Sequence, residues 1–246
     1  MELIKINEKN LDLEHICCAL SGSEAQPKKD WLKERLKDGL VFLKANVRGK
    51  CFIEYIPAEN AWSPICADGY MYINCLWVSG QFKGHGYSNL LLDECIRDSK
   101  EKGKKGLVIL SSKKKTGFLA DPKYLRYKGF RLADTAQPYF ELMYLPFEEN
   151  SEKPYFREQV KGKVGSGFEL FYTAQCPFTT KYVPILEQMA KDKNAPFTVT
   201  KYETAAQAQN GISPFSTFSL YFDGEFITHE ILSEKKFEKI LAERGF

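Results

Sequence analysis

The chain has 246 residues, 43% hydrophobic and 27% charged, enough apolar material for one large domain or two of ordinary size. Its net charge of +3 is spread along the chain, which argues against nucleic acid as a partner while leaving room for a small anionic ligand. Seven cysteines with no CxxC pair suggest neither a disulfide framework nor a metal site, and most read as small core hydrophobes in a reducing, cytoplasmic setting. The start MELIKINEKN lacks the form of a leader, and no apolar run reaches membrane-spanning length.

Residues 2–7 read as a first strand and DLEHICCAL as a short amphipathic helix. PKKDWLKERLKDGL is a second helix, apolar at Trp31, Leu32 and Leu36 and closed by Gly39. LVFLKANV and KCFIEYIP are strands joined at Arg48-Gly49, followed by a loop over 58–69 and a long strand YMYINCLWV. After a glycine turn comes a helix from Tyr87 to Lys102, then the buried-type strand GLVILSS, a short helix ending at Gly129, and a strand ELMYLPF. Residues 148–166 are charged and aperiodic and end in glycine and serine, so they read as a linker between domains at 1–147 and 167–246. The pattern then restarts: a strand FELFYTA, a helix from Cys176, a strand APFTVTKYET, a small helix, two strands joined at Asp223-Gly224, and a last helix capped by Ser233.

The stretch WVSGQFKGHGYSNLLL, residues 77–92, sets glycines where a strand hands over to a helix. The first amides of a helix have no intrahelical partner, the helix dipole adds partial positive charge, and glycine lets a phosphate approach the backbone. The spacing of Gly80, Gly84 and Gly86 does not meet the dinucleotide pattern GxGxxG. Gln81-Phe82-Lys83-Gly84-His85-Gly86 followed by a leucine-rich helix resembles the pyrophosphate loop of the GCN5-related N-acetyltransferases (GNAT). The order of elements over residues 1–147 is similar to that family as well. The resemblance implies an α+β fold with a mixed, mostly antiparallel sheet, and transfer of an acetyl group from acetyl-CoA to an amine. It places the pyrophosphate on Gln81, Phe82, Lys83, Gly84, His85, Gly86, Tyr87 and Ser88, and the thioester and pantetheine arm on the backbone of Leu76, Trp77 and Val78.

The tyrosine that protonates the leaving thiolate in that family falls here on Leu125, so Tyr124 and Tyr127 are the candidates for that role. Glu54 is the candidate base, with Glu59 and Asp68 in the loop beside it, and Asn74 is a further polar contact in the cleft. The C-terminal FELFYTAQCPFTTKYVPILEQMAKD resembles the thioredoxin-like domain of YoaP-like proteins. Cys176-Pro177-Phe178-Thr179 is similar to a glutaredoxin site with its second cysteine replaced by Thr179, and Ser216 stands where the cis-proline would be. Cys176 is thus either a reactive thiol or part of a scaffold used for acceptor binding or dimerisation. Taken together, these readings lead to an N-acetyltransferase acting by direct attack of the amine of a small molecule or protein, with a homodimer open. The alternatives are a non-catalytic acyl-CoA sensor and a monothiol redox protein using Cys176.

Overall fold

A computed structural model describes residues 2–16, 25–47, 49–158 and 165–246. The N-terminal part is a seven-stranded sheet in the order β1-β2-β3-β5-β6-β8-β7. Its strands are β1 (Leu3–Lys5), β2 (Val41–Ala45), β3 (Cys51–Pro57), β5 (Tyr70–Val78), β6 (Gly106–Ser112), β7 (Arg131–Ala136) and β8 (Phe140–Pro146). All neighbours run antiparallel except β5 and β6, so the sheet is mixed and mostly antiparallel as expected. Helices α2 (Tyr87–Glu101) and α3 (Pro122–Tyr127) cover one face, where Leu91, Leu92, Cys95 and Leu125 meet Ile53, Met71, Ile73 and Ile109. Helix α1 (Gln26–Lys37) lies on the other, with Trp31 and Leu32 in a cluster built on Phe42, Phe52, Tyr70 and Phe140.

The C-terminal part is a smaller sheet, β11-β10-β12-β13, of β10 (Phe168–Tyr172), β11 (Phe197–Lys201), β12 (Phe218–Phe222) and β13 (Glu225–Thr228). Its helices are α4 (Pro177–Asp192), α5 (Ala205–Gln209) and α6 (Glu234–Glu243), and Phe168, Leu186, Phe218 and Phe237 form its own core. The two parts also share a core. Tyr202 and Ala208 belong to the same cluster as Trp31, Trp62 and Phe140, with Phe215 and Phe226 packed against it. Polar contacts close the seam: Gln209 Nε2 donates to Glu59 O at 2.9 Å and Ala61 O at 3.0 Å, and Ser216 Oγ donates to Trp62 O. His229, only 1% exposed, completes it, with Nε2 at 2.8 Å from Gly117 O and Nδ1 at 2.7 Å from the Tyr139 hydroxyl. A carbonyl only accepts, so Nε2 carries the proton and Nδ1 receives the Tyr139 hydrogen bond.

The sequence reading differs from the structure in several places. RLADTA forms the edge strand β7, which its half-exposed side chains, with no apolar alternation, concealed. Residues 148–158, the described part of the expected linker, carry structure of their own. Within them β9 (Tyr155–Phe156) pairs antiparallel with β4 (Ile65–Cys66), Phe156 is buried, and Arg157 Nε donates to Ile65 O at 3.2 Å. β4 and β9 form a small sheet of their own, and the Phe156 amide donates to Asp134 Oδ2 at 2.9 Å, so the segment is strapped to the N-terminal part. Ser233 stands at the start of α6 but its side chain makes no capping hydrogen bond. Of the expected helix DLEHICCAL, residues 12–14 form turns and 17–20 lie outside the described residues, as do Arg48 of the hairpin and 159–164 of the linker.

Candidate functional site

Strand β5 and the turn after it organise the site. β5 pairs with β6 only from Tyr70↔Gly106 to Ile73↔Ile109. From there the two strands separate, while β5 continues against β3 as far as Val78↔Cys51. One edge of residues 74–78 is therefore left facing a gap. The register with β3 jumps from Tyr55↔Ile73 to Glu54↔Cys75, so Asn74 is an extra residue, a β-bulge. Leu76 and Val78 pack toward α2, and the Trp77 side chain is 45% exposed.

At the end of the gap the chain makes a short 3₁₀ turn over Gly80–Phe82 and enters α2. The Phe82 amide donates to Ser79 O and the Lys83 amide to Gly80 O, so the turn itself takes up these two donors. The Phe82 ring packs edge-on to Tyr87 at 5.9 Å and lies over Gly49, where any Cβ would come 2.4 Å from it, which fastens the loop to the β2–β3 turn. Among the described residues the amides of Gly84 to Asn89 have no acceptor in the protein. Gly84 and Gly86 hold φ of +81° and +76°, and a Cβ at either would meet nothing within 4 Å. The loop therefore offers an exposed row of donors over bare backbone. These observations fit a pyrophosphate at that place. His85 is exposed within the row.

The tyrosine candidates part company. Tyr127 is 81% exposed and turned to solvent. The half-buried Tyr124 lies against the first turn of α2, its hydroxyl 3.5 Å from Asn89 Oδ1. Burial raises its pKa, opposed by a hydrogen bond with Ser88, so the hydroxyl keeps its proton at neutral pH. Leu125 is buried beneath the sheet.

Glu54 lies on the opposite face of the sheet and is 1% exposed. Its Oε2 is 2.6 Å from Lys28 Nζ, and its Oε1 accepts from Asn74 Nδ2 at 2.8 Å. Lys28 is fully buried, its ammonium 4.1 Å from the centre of the Trp31 ring. With both carboxylate oxygens engaged, Glu54 anchors its neighbours; acting as a base would disrupt the ion pair. Glu59 is occupied elsewhere, accepting from the Gly69 amide at 2.8 Å and from Lys104.

A cavity of about 70 Å³ lies over Glu54, between the two parts of the chain. Glu54, Asn74 and Cys75 form one wall, and Cys176, Phe215 and Thr217 face them. Cys176 is the N-cap of α4, and Thr179, in the place of a second cysteine, is buried with its hydroxyl 2.6 Å from Thr173 O and 2.7 Å from Cys176 O. The residues sequence reasoning missed are Lys28, hidden among the cations of a charged helix, and His229, which carries no motif.

The protein described as "Uncharacterized N-acetyltransferase YoaP" from Bacillus subtilis (strain 168) is 43% identical over 244 residues, covering 97% of both chains. A family model described as YoaP-like matches residues 196–239. Among solved structures, a GNAT-family acetyltransferase from Desulfovibrio desulfuricans aligns with a TM-score of 0.43 at 15% identity, covering 59% of this chain and 99% of the other. The PaiA N-acetyltransferase of Thermoplasma acidophilum, in complex with coenzyme A, aligns at 0.42 and 16%, covering 60% and 100%. With a relative this similar across nearly its whole length, the chain belongs to the family of the N-acetyltransferase YoaP.

Proposed function

We propose that the protein transfers the acetyl group of acetyl-CoA to a primary amine by direct attack. The observation that carries this reading is the row of unengaged amides from Gly84 to Asn89, at the end of the gap that opens beside β5. Bound acetyl-CoA supplies an activated acetyl thioester. Gln81, Gly84, His85, Gly86, Tyr87 and Ser88 would hold its pyrophosphate through the loop backbone. The free edge of Leu76, Trp77 and Val78 would hold the pantetheine arm. The bonds made there align the thioester for attack and support negative charge on its oxygen as the nitrogen–carbon bond forms and the carbon–sulfur bond breaks. The nitrogen gives up one proton and the departing sulfur takes one. Tyr124, which keeps its proton and faces the first turn of α2, suits the second transfer.

The C-terminal order strand-helix-strand-helix-strand-strand-helix, with β10 parallel to β11 and the last strands antiparallel, supports a thioredoxin-like reading of this part as a second domain. In this reading it acts as a wall of the acceptor site; the tied-down Thr179 in the place of a resolving thiol speaks against a dithiol redox mechanism there. The five described cysteines are thiols, in keeping with a reducing, cytoplasmic setting.

The test is an amine panel with acetyl-CoA, following thiol release in a reductant that carries no thiol itself. The expected result is release that depends on both the amine and the protein. Tight binding of acetyl-CoA with no amine acetylated would show a sensor instead.

A further inference from the structure

We propose that the acceptor amine is received by Asn74 Oδ1 in the cavity between the two parts of the chain, and that the acceptor is a small monoamine with an apolar body. The inference rests on the acetyltransferase reading and adds where the acceptor binds and of what class it is.

The orientation of the Asn74 amide follows from its neighbour. Glu54, ion-paired with Lys28, is an acceptor only, so the Asn74 NH₂ must face it, as the 2.8 Å contact shows. The oxygen of the same amide is thereby turned away from Glu54. It is buried and has no hydrogen-bond partner among the described residues, although Asn74 lines the cavity. A buried acceptor without a donor is costly, and a ligand bearing an N–H supplies what is missing. A primary amine does so. From Asn74 the reacting nitrogen is two residues along β5 from Leu76, where the free strand edge of the proposed thioester site begins.

The class of acceptor follows from the rest of the wall. Phe52, Phe118, Phe215 and Pro177 make it largely apolar, together with the thiols of Cys75 and Cys176. Glu54 is the one carboxylate among the residues lining the cavity, and Lys28, 2.6 Å away, already balances its charge. A second ammonium on the acceptor would find no counter-charge there. The volume of about 70 Å³ is roughly half the 150 Å³ of a cavity that takes benzene. It suits a short alkyl amine or the aminomethyl end of a longer apolar one. Spermidine and kanamycin, each carrying several ammonium groups, are the wrong chemistry. Five of the residues lining the cavity, Gln175, Cys176, Pro177, Phe215 and Thr217, come from the C-terminal part, which gives that part a place in choosing the acceptor.

The full-length protein is tested with butylamine and spermidine at pH 8.5, with three readouts. Calorimetry gives acetyl-CoA affinity, thiol release gives kcat/KM, and mass spectrometry follows protection of Cys75 and Cys176 from iodoacetamide by the amine alone. The expected results are protection by butylamine and not by spermidine, and a kcat/KM at least tenfold higher for butylamine. Asn74→Ala should lower kcat/KM for butylamine about tenfold, the loss of one hydrogen bond, with acetyl-CoA affinity unchanged. Phe215→Trp, which fills the cavity, should abolish both protection and turnover of butylamine, again with acetyl-CoA bound normally. Spermidine acetylated as well as butylamine would overturn the proposal. So would butylamine kinetics untouched by either substitution, or acetyl-CoA bound with neither amine protecting or reacting. Failure of acetyl-CoA to bind the unaltered protein would instead remove the acetyltransferase reading on which the acceptor role depends.

Discussion

Replacing Gly86 by glutamate separates the proposed role of the loop from its part in folding. Gly86 has φ of +76°, so any side chain there adopts the left-handed region at a cost of about 1–2 kcal/mol. No further steric cost arises, because an added Cβ meets nothing within 4 Å. With roughly 2.1 cal/mol/K of unfolding entropy per residue over 246 residues, that strain lowers Tm by about 2–4 °C. The effect on binding is far larger. A carboxylate about 5 Å from a pyrophosphate charge, at an effective dielectric of about 20, is repelled by about 3 kcal/mol, more than a hundredfold in affinity. Gly103 supplies the control at the other end of α2. It too has positive φ, +67°, and open space around it. Gly103→Glu should therefore lower Tm by a similar amount and leave acetyl-CoA affinity alone. Scanning fluorimetry and calorimetry on both variants decide the matter. If Gly86→Glu bound acetyl-CoA as the unaltered protein does, the amides of Gly84 to Asn89 would not be the pyrophosphate site.

Three further outcomes follow from the same geometry. Lys28→Met leaves the Glu54 carboxylate buried without its cation, which costs about 3–5 kcal/mol and lowers Tm by roughly 6–10 °C. The added substitution Glu54→Leu should restore part of the loss, and a single variant within about 2 °C of the parent would show the pair to be energetically silent. Burial pulls the His229 pKa below its usual value near 6.5, against the opposing effects of Gly117 O and Glu230. The unfolded chain then binds this proton more readily than the folded one, so stability falls as pH drops below about 6.5. His229→Gln should flatten that part of a plot of Tm against pH, and an unchanged slope would assign acid sensitivity to other groups. Tyr124→Phe should lower kcat with little change in acetyl-CoA affinity, the mark of a lost proton donor; equal kcat in the two proteins would remove Tyr124 from the mechanism.

The long elements were legible because their patterns are strong. YMYINCLWV and GLVILSS span β5 and β6 residue for residue, and the helix after Gly86 begins at Tyr87. What escaped has physical reasons. β7 is a half-exposed edge whose side chains show no apolar alternation, and β4 and β9 have two residues each, too short for any period to appear. The strap over 148–158 looked like a linker because it is charged, yet its Phe156 is buried in the core. In the candidate site, the glycine turn proposed for the pyrophosphate is a local motif, visible within a single stretch of sequence. The cavity is not local, since Glu54, Asn74 and Cys176 meet only when the second sheet docks on the first. Lys28 is one of several lysines on α1, and only the carboxylate across from it on β3 distinguishes it.

The single inserted residue at Asn74 links the two halves of the proposed site. Along β5, Tyr70 and Tyr72 face the core that holds α1 and is shared by the two parts, while Met71 and Ile73 face α2. Strict alternation would send Cys75 toward α2. The bulge resets the count, so Cys75 packs with the core shared by the two parts, and Leu76 and Val78 turn to α2. Pairing with β6 stops at Ile73, immediately before the extra residue. A bulge bends and twists its strand, which accounts for a gap opening at this point and no earlier. One residue thus leaves the strand edge proposed for the pantetheine arm and puts Asn74 in the cavity wall. In the proposed reaction, coupling the two by geometry, not by a flexible loop, would fix the distance between the thioester and the incoming amine, which is what rate enhancement by positioning demands. Deleting Asn74 should therefore do more harm than replacing it. Asn74→Ala keeps the gap and loses only side-chain hydrogen bonds, the one to Glu54 and the proposed one to the amine, whereas the deletion restores alternation, closes the gap and should abolish acetyl-CoA binding itself. Calorimetry on the deletion variant showing acetyl-CoA bound at parental affinity would break the link between bulge and groove.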